Sequence, residues 1–138
     1  MSGIRFECLE RARVGETWRS QRWDSFALNT PNFMNGLPGS PYQGPQPDGF
    51  MDHHELARSF EDYVETHDLP VRTGVEVRSV ERRDDGRFDI KAEGPDGLEH
   101  IVANSVVAAS GGLTVAKIPG ASSQFPSHIL QLHTASYR

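Results

Sequence analysis

Several features that would point to a protein class are scarce in this chain of 138 residues. It contains a single cysteine, Cys8, which excludes a disulfide framework or a paired-cysteine redox or metal site within the chain. No apolar run is long enough to predict a membrane-spanning helix or the core of a secretory signal. The net charge of -5 predicts no general affinity for nucleic acid. A cytoplasmic protein fits these observations.

The composition predicts many turns around a small core. Apolar residues make up 36% of the chain and the mean hydropathy is -0.53, both low for a self-contained core. The 13 glycines and 9 prolines favour turns and loops. At this length the chain corresponds to about one domain.

The first regular element is predicted at residues 4–10. Ile4–Glu10 is a short, nearly continuous apolar run, which is typical of a buried parallel strand, with Cys8 as a small core residue. Nothing regular persists from residue 11 to residue 49. The part PNFMNGLPGSPYQGPQPDG is rich in proline and glycine and predicts a long surface loop, ordered or disordered. Loops of that length in compact domains tend to be functional.

The sequence Asp52-His53-His54-Glu55 could suggest metal ligands, but its spacing favours a helix start. Asp52 can cap a helix while Glu55 reaches back to the cap amide. Apolar residues then follow at helical spacing, at Leu56, Phe60, Tyr63 and Val64. The pattern predicts an amphipathic helix from Asp52 to about His67, ended by Pro70. A metal at the two histidines is disfavoured because adjacent helix positions point apart, so no metal is predicted.

The part after Pro70 predicts strands. VEVRSVERR, RFDIKAE and LEHIVANSVVAAS alternate in polarity and are separated by the turn sequences Asp-Asp-Gly and Pro-Asp-Gly. They predict a three-stranded antiparallel meander. At Asn104 the last strand leads into residues 105–109, too apolar for an exposed face, which predict a buried strand ending at Ser110.

The acid that ends the first predicted strand lies where nucleotide-binding folds use one. In dinucleotide-binding α/β folds, an acid at the carboxyl end of the second strand binds ribose hydroxyls. Here Glu10 is followed by Arg11, and then by Gly15 and Trp18, in LERARVGETWR. This segment resembles the one after the second strand in class B flavin-dependent monooxygenases, the group of flavin-containing monooxygenases and Baeyer–Villiger enzymes.

Three later segments resemble the same family in the same order. RWDSFALNTPNF resembles the segment leading to an asparagine beside the flavin ring, which Asn29 matches. TGVEVRSV resembles the strand whose backbone amide and carbonyl bind adenine, at the position of Val77. NSVVAASGG resembles the valine-rich strand ending in alanine-threonine-glycine, with Ser110 in place of the threonine and Gly111 after it.

The last segments resemble the connection between the family's two nucleotide-binding motifs. KIPG and HTASYR match it, and His133 and Tyr137 reproduce the histidine and tyrosine of the family's identifying motif. The phenylalanine and glycine expected before them correspond to Ser127 and Ile129, which predicts a divergent branch.

The sequence contains no G-x-G-x-x-G. The family has one before the position of Ile4, where glycines let the chain approach the FAD pyrophosphate, and another after that of Arg138, for NADPH. The resemblance therefore implies a fragment of a longer enzyme, from a truncated gene or a partial sequence.

The fold that the resemblance implies is α/β. It is a partial FAD-binding Rossmann-like, doubly wound domain with the three-stranded antiparallel meander inserted. Residues 1–112 would form the partial FAD-binding domain, without its first strand and phosphate loop. Residues 113–138 would lead toward an NADPH-binding domain.

The resemblance also implies a chemistry. NADPH reduces FAD, oxygen adds to the reduced ring, and the resulting peroxyflavin passes one oxygen atom to a small-molecule substrate. Asn29 would be catalytic, and the cofactor would be bound by Glu10 at the ribose, by Arg11 near the adenosine and phosphates, and by Trp18 as a rigid wall. Gly15, Val77, Ser110 and Gly111 complete the predicted cofactor site. Trp23, Arg19 and Arg22 are expected to serve mainly in packing and surface ion pairs.

Other functions are less compatible with the residues. A disulfide reductase would need two redox cysteines, and a hydrolase using Ser110 would need a glycine two positions before it. The alternative from another class is a non-catalytic, truncated flavoprotein remnant that does not bind its cofactor tightly. The substrate and the oligomeric state are not determined by the sequence.

Overall fold

The computed structural model describes residues 3–111, 116–133 and 136–137 of the chain. Its elements are β1 (Cys8–Glu10), α1 (Glu16–Ser20), a 3-10 turn (Asn32–Met34), α2 (His53–Thr66), β2 (Val71–Thr73), β3 (Glu76–Arg82), β4 (Phe88–Gly94), β5 (Gly97–Ala103) and a second 3-10 turn (Gly120–Gln124). Among these residues no helix is long and apolar enough to cross a membrane. The chain divides into a first unit, Met1–Glu16 with Ala57–Ala108, and a second unit, Thr17–Leu56 with Ala109–Arg138.

Two small sheets form the framework of the first unit. β1 pairs in parallel with β2, with Cys8 opposite Val71 and Glu10 opposite Thr73. Beyond this pair, the N–H of Val75 donates to the carbonyl oxygen of Glu10 at 3.0 Å. The second sheet is antiparallel in the order β3-β4-β5. The predicted α/β class, with a parallel part and an antiparallel meander, is therefore confirmed.

The meander follows its turn sequences closely. Phe88 pairs with Ala103 at one end of the β4–β5 hairpin and Gly94 pairs with Gly97 at the other, so Pro95 and Asp96 form the connection. Such a two-residue connection is the commonest kind in hairpins. One face of β4 is buried, and the buried apolar residues of the first unit are Ala57, Val75, Ile90 and Ala92.

An ion-pair network links the two sheets of the first unit. The guanidinium of Arg72, on β2, contacts both carboxylate oxygens of Glu99, on β5, at 3.2 and 2.5 Å. It also lies 3.3 Å from Glu7, just before β1. The hydrogen bond to Glu99 raises the pKa of Arg72. Arg72 therefore ties the parallel pair to the meander.

The first predicted strand is shorter than expected. Only Cys8–Glu10 of the predicted range Ile4–Glu10 is a strand. Ile4 is 90% exposed, and Cys8 is exposed instead of lying in the core. The physical reason is pairing, because β1 has one neighbour and that neighbour, β2, is three residues long.

The predicted buried strand at residues 105–109 is wrong for this structure. β5 ends at Ala103, and residues 105–109 are exposed and belong to no strand. Val107 is 88% exposed. An apolar run becomes a buried strand only when other strands supply hydrogen bonds along its edges, and no part of the described chain does so here.

The predicted helix start is confirmed in its details. The N–H groups of His54 and Glu55 both donate to Oδ1 of Asp52 at 2.7 Å, and Oε2 of Glu55 accepts from the N–H of Asp52 at 3.0 Å. This is the reciprocal capping box. Leu56 is buried, and Phe60, Tyr63 and Val64 are half-buried on the predicted face.

The two histidines do not point apart as expected. Their ring centroids are 4.0 Å from each other. His53 lies in the first helical turn, where its ring turns back toward α1 and its Nδ1 comes within 3.0 Å of the carbonyl oxygen of Trp18. His53 is buried and His54 is exposed.

The long loop of the second unit is ordered around one buried amide. Nδ2 of Asn32 donates to the carbonyl oxygen of Gln46 at 2.9 Å, and Oδ1 accepts from the N–H of Met51 at 2.7 Å. The N–H of Asn32 donates to the carbonyl oxygen of Gly49 at 2.9 Å. One residue therefore joins the start of the loop to three positions near its end.

Candidate functional site

Glu10 occupies the carboxyl end of parallel strand β1, as predicted. The N–H of Ala12 donates to its Oε1 at 2.8 Å, which holds the half-buried carboxylate in one orientation. Within the described residues Oε2 accepts no hydrogen bond. A carboxylate with one oxygen fixed and the other available can accept from a ligand hydroxyl without rearrangement.

Arg11 and Gly15 follow Glu10 in the sequence and belong to the same unit. Arg11 is exposed, and the structure gives its guanidinium no partner within the described residues. Gly15 has φ of +72° and lies close to Ala57. The positive φ turns the chain from β1 into α1, and it is a conformation that favours glycine.

Val77, predicted to bind adenine through its backbone, lies on edge strand β3. It pairs with Ala92, and the register shifts between Val77 and Ser79. A bulge of this kind bends an edge strand and changes which backbone groups its outer edge presents. The structure thus places Val77 on an open edge of the meander, in the same unit as Glu10.

Trp18 lies in the second unit among other rings and a cation. The guanidinium carbon of Arg22 is 4.4 Å from the centroid of the Trp18 ring, within the range of a cation–π contact. Phe26 lies 6.0 Å from Trp18 and 4.8 Å from Trp23. Arg22 and Trp23 thus serve in packing, as expected, and Arg22 packs against a predicted cofactor residue.

Asn29 lies on the surface of the second unit. It is exposed, and its side chain makes no hydrogen bond within the described residues. The backbone on either side is anchored, because the N–H of Leu28 donates to the carbonyl oxygen of Met51 and Nδ2 of Asn35 donates to the carbonyl oxygen of Thr30. The amide of Asn29 is therefore presented on a fixed backbone and is available to a ligand.

Ser110 and Gly111 are exposed residues of the second unit, and Gly111 has φ of +76°. Gly112 and residues 113–115, 134, 135 and 138 lie outside the described residues. The N–H of Tyr137 donates to the carbonyl oxygen of His133 at 3.1 Å. The Tyr137 ring lies 6.4 Å from Trp23. Tyr137 thus contacts the aromatic cluster next to Trp18.

The predicted site residues fall into two groups. Glu10, Arg11, Gly15 and Val77 belong to the first unit, and Trp18, Asn29, Ser110 and Gly111 belong to the second. Their roles stay predictions. Sequence reasoning missed the contribution of His53 to the surroundings of Trp18, and that of Asn32 to the loop after Asn29. Trp18 and Arg22 are four residues apart near a helix end, and this spacing could have predicted the contact between their side chains.

The described part of the chain offers no metal site, and a charged cleft lies apart from the predicted site residues. This part contains no group of three or more His, Cys, Asp or Glu side chains that could hold a metal ion. An open cleft of about 440 Å³ lies at the tip of the meander, lined by Arg82, Arg83, Asp84, Asp85 and Asp89. None of the predicted site residues lines it.

The residues present fit the adenosine half of FAD better than its phosphates. Glu10 has a carboxylate oxygen that a ribose could use, and the next residue, Arg11, has an exposed guanidinium. An exposed edge strand at Val77 offers backbone groups to a base. A glycine-rich phosphate loop is not present in the sequence.

Comparison with known proteins gives two relatives in sequence. The chain matches none of the protein-family models. It is 33% identical over 125 residues to the uncharacterized oxidoreductase CzcO-like of Geobacillus kaustophilus, covering 91% of this chain and 34% of that protein. It is 31% identical over 135 residues to the uncharacterized oxidoreductase CzcO of Bacillus velezensis, covering 97% of this chain and 37% of that protein. The chain therefore spans about a third of the length of these curated relatives.

Solved structures agree on the fold. A flavin-containing monooxygenase from Stenotrophomonas maltophilia is 25% identical, with a TM-score of 0.66, covering 82% of this chain and 32% of that one. OTEMO in complex with FAD and NADP is 17% identical, with a TM-score of 0.67, covering 86% and 23%. At the latter identity the likeness concerns the fold alone.

Proposed function

Because this chain is related to CzcO-like oxidoreductases and to flavin-containing monooxygenases, we propose that the whole protein is an FAD-dependent oxidoreductase. In this proposal it uses NADPH and transfers one oxygen atom to a small-molecule substrate in the cytoplasm. Residues 1–112 contribute to the FAD-binding domain and residues 113–138 lead toward the NADPH-binding domain.

The observation that carries the proposal is the geometry of Glu10. Its carboxylate stands at the carboxyl end of a parallel strand, with Oε1 held by the N–H of Ala12. That is where α/β folds bind the ribose of a dinucleotide. The carboxylate accepts from the ribose hydroxyls, while Arg11 supplies positive charge near the phosphates and the backbone of Val77 bonds the adenine.

For the flavin half of the cofactor, the proposal assigns Trp18, Asn29, Ser110 and Gly111. FAD, when bound, supplies the electron transfer and the reaction with oxygen. Trp18 forms a rigid wall whose ring is held by Arg22. The exposed amide of Asn29 hydrogen-bonds at the reactive edge of the flavin, and Ser110 and Gly111 border the cofactor.

The test compares FAD with FMN, which lacks the adenosine. Glu10→Gln retains an oxygen that can accept from Ala12, so the turn keeps its structure, but it removes the charge. Hydrogen bonds to charged groups contribute enough that FAD affinity of the whole protein should fall about tenfold or more. FMN affinity should not change. Glu81→Gln, at an exposed position of β3, is the matched control.

Three other results would speak against the proposal. A whole protein that binds no FAD would favour the non-catalytic remnant. Equal losses for FAD and FMN would remove Glu10 from the adenosine site. Oxygenation is tested with a thioether under labelled oxygen gas and NADPH, and a product without the label would exclude transfer of an oxygen atom from molecular oxygen.

A further inference from the structure

His53 is buried and its ring is held in one orientation. It is 4% exposed, and its Nδ1 lies 3.0 Å from the carbonyl oxygen of Trp18. A carbonyl oxygen can only accept, so this contact requires a proton on Nδ1. Its capping position fixes the rest of the residue, because Asp52 bonds the N–H groups that follow His53.

The carbonyl group that His53 contacts needs a partner. α1 has five residues, and the last four carbonyl groups of any helix have no partner within it. The carbonyl oxygen of Thr17 accepts from the N–H of Gln21 at 3.1 Å. That of Trp18 accepts from His53, which lies 35 residues further along the chain. His53 therefore fixes the backbone of Trp18.

The same histidine also supports the rings around Trp18. Phe26 meets the ring of His53 edge-on, with centroids 6.3 Å apart at an angle of 80°. Phe26 in turn lies 6.0 Å from Trp18. On the Trp18 ring, the guanidinium of Arg22 stands 4.4 Å from the centroid. His53 thus restrains Trp18 through its backbone and through Phe26.

We propose that His53 is a positioning residue that holds Trp18 in the orientation in which it contacts the flavin cofactor. This inference rests on the proposed function, in which Trp18 borders the cofactor. His53 itself does not touch the cofactor. Its action depends chiefly on the hydrogen-bond donor at Nδ1, and the edge-on contact with Phe26 is secondary.

Two amide variants separate the donor from simple packing. In His53→Asn the side-chain N–H₂ lies near the position of Nδ1, so it can donate to the Trp18 carbonyl oxygen. In His53→Gln, which is one methylene longer, the N–H₂ lies near the position of Nε2 and misses that oxygen. His53→Ala removes both the hydrogen-bond donor and the packing of the side chain. Asn and Gln are the matched pair because their chemistry is the same.

The first measurement reports on Trp18 without any cofactor. This measurement uses the 138-residue chain, which has two tryptophans, so Trp23→Phe leaves Trp18 as its single tryptophan. The near-ultraviolet circular dichroism of Trp18 should persist in His53→Asn and fall to about half or less in His53→Gln and His53→Ala, because a part-buried carbonyl group without its partner lets the segment move. The far-ultraviolet spectrum should stay the same in all of them.

The second measurement uses the whole protein and its FAD, with the Trp23 side chain intact. FAD affinity should stay within about threefold in His53→Asn and fall about tenfold in His53→Gln, as loss of a single part-buried hydrogen bond predicts. The visible circular dichroism of the bound flavin, which reports on a neighbouring ring, should change in His53→Gln and not in His53→Asn.

The outcomes distinguish the inference from the function on which it rests. If the unmutated whole protein binds no FAD, the proposed function fails, and the cofactor role of His53 fails with it. If FAD binds equally in all three variants, the function stands and the inference is overturned. It is also overturned if His53→Asn behaves like His53→Gln, or if both amide variants unfold, because His53 would then support the fold in general.

Discussion

Gly15 lies so close to Ala57 that a Cβ on Gly15 would stand 3.1 Å from both the Cα and the Cβ of Ala57. Gly15 also has φ of +72°. Two separate constraints, one of space and one of backbone conformation, therefore require glycine at this position. The energetic cost of each can be measured by comparison with a second glycine that has only the constraint on backbone conformation.

Gly15→Ala should destabilise the protein more than Gly86→Ala. Both glycines have positive φ, but a Cβ at Gly86 would meet nothing within 4 Å. Gly86→Ala should therefore cost about 1–2 kcal/mol for the left-handed backbone alone. Gly15→Ala should cost about 1–3 kcal/mol more, because Ala57 is backbone-fixed in α2 and must move. Urea unfolding measures both, and equal losses would show that the space around Gly15 is not limiting.

Asn32→Ala should loosen the loop of the second unit. The buried N–H of Met51 and the carbonyl oxygen of Gln46 would lose their partner. A buried polar group without a partner costs about 1–3 kcal/mol. The expected result is lower stability in urea and faster proteolytic cleavage between residues 33 and 50. Asn29→Ala, at an exposed position, serves as the stability control, and a similar loss there would contradict the role of Asn32.

Asn29→Ala in the whole protein should leave FAD bound and uncouple the reaction. A lost hydrogen bond in a partly dry site costs about 1–3 kcal/mol, so more NADPH should be consumed with release of hydrogen peroxide and less with formation of product. The measurement follows NADPH, peroxide and product together. Gln43→Ala, another exposed amide of the second unit, is the control. Unchanged coupling with reduced FAD occupancy would instead assign Asn29 to cofactor packing.

The tip of the meander should lose stability in acid. Hydrogen bonds from the guanidinium and the backbone N–H of Arg87 hold the pKa of Asp85 below its ordinary value of 3.8. A lowered pKa in the folded state stabilises above pH 3.8, and this contribution disappears as the pH falls through the lowered value. Asp85→Asn should therefore lower Tm slightly at neutral pH and converge with the parent protein in acid. A constant difference across pH, or an equal effect of Asp84→Asn, would contradict this assignment.

Local spacing predicted those parts of the fold that local forces determine. The capping box of Asp52 and Glu55 gave the start of α2 within one residue, because both partners lie within one helical turn. The turn sequences located the hairpins of the meander for the same reason. Residues 105–109 show the opposite case, since their burial depends on distant strands that pair with them.

The candidate site could be predicted only where a local motif marks it. Glu10 follows from a strand end and from the resemblance of its segment to a known family. The contact of His53 with Trp18 spans 35 residues, and no local pattern encodes it. The burial of Asn32 could likewise not be predicted, because the sequence of a loop rich in proline and glycine does not indicate which amide side chain points inward.

The anchoring of the loop by Asn32 has a consequence for its evolution. Leu37 and Ser40 close their own turn, with bonds of 3.0 and 2.8 Å between backbone groups, and Gly39 within the turn has φ of +75°, a conformation that favours glycine. Mutations at Pro41, Gln43 or Pro45 can therefore accumulate while the amide of Asn32 keeps the two ends of the loop joined. Selection can therefore change the exposed side chains of this loop, including those near Phe33 and Phe50, while the backbone conformation of the loop is kept.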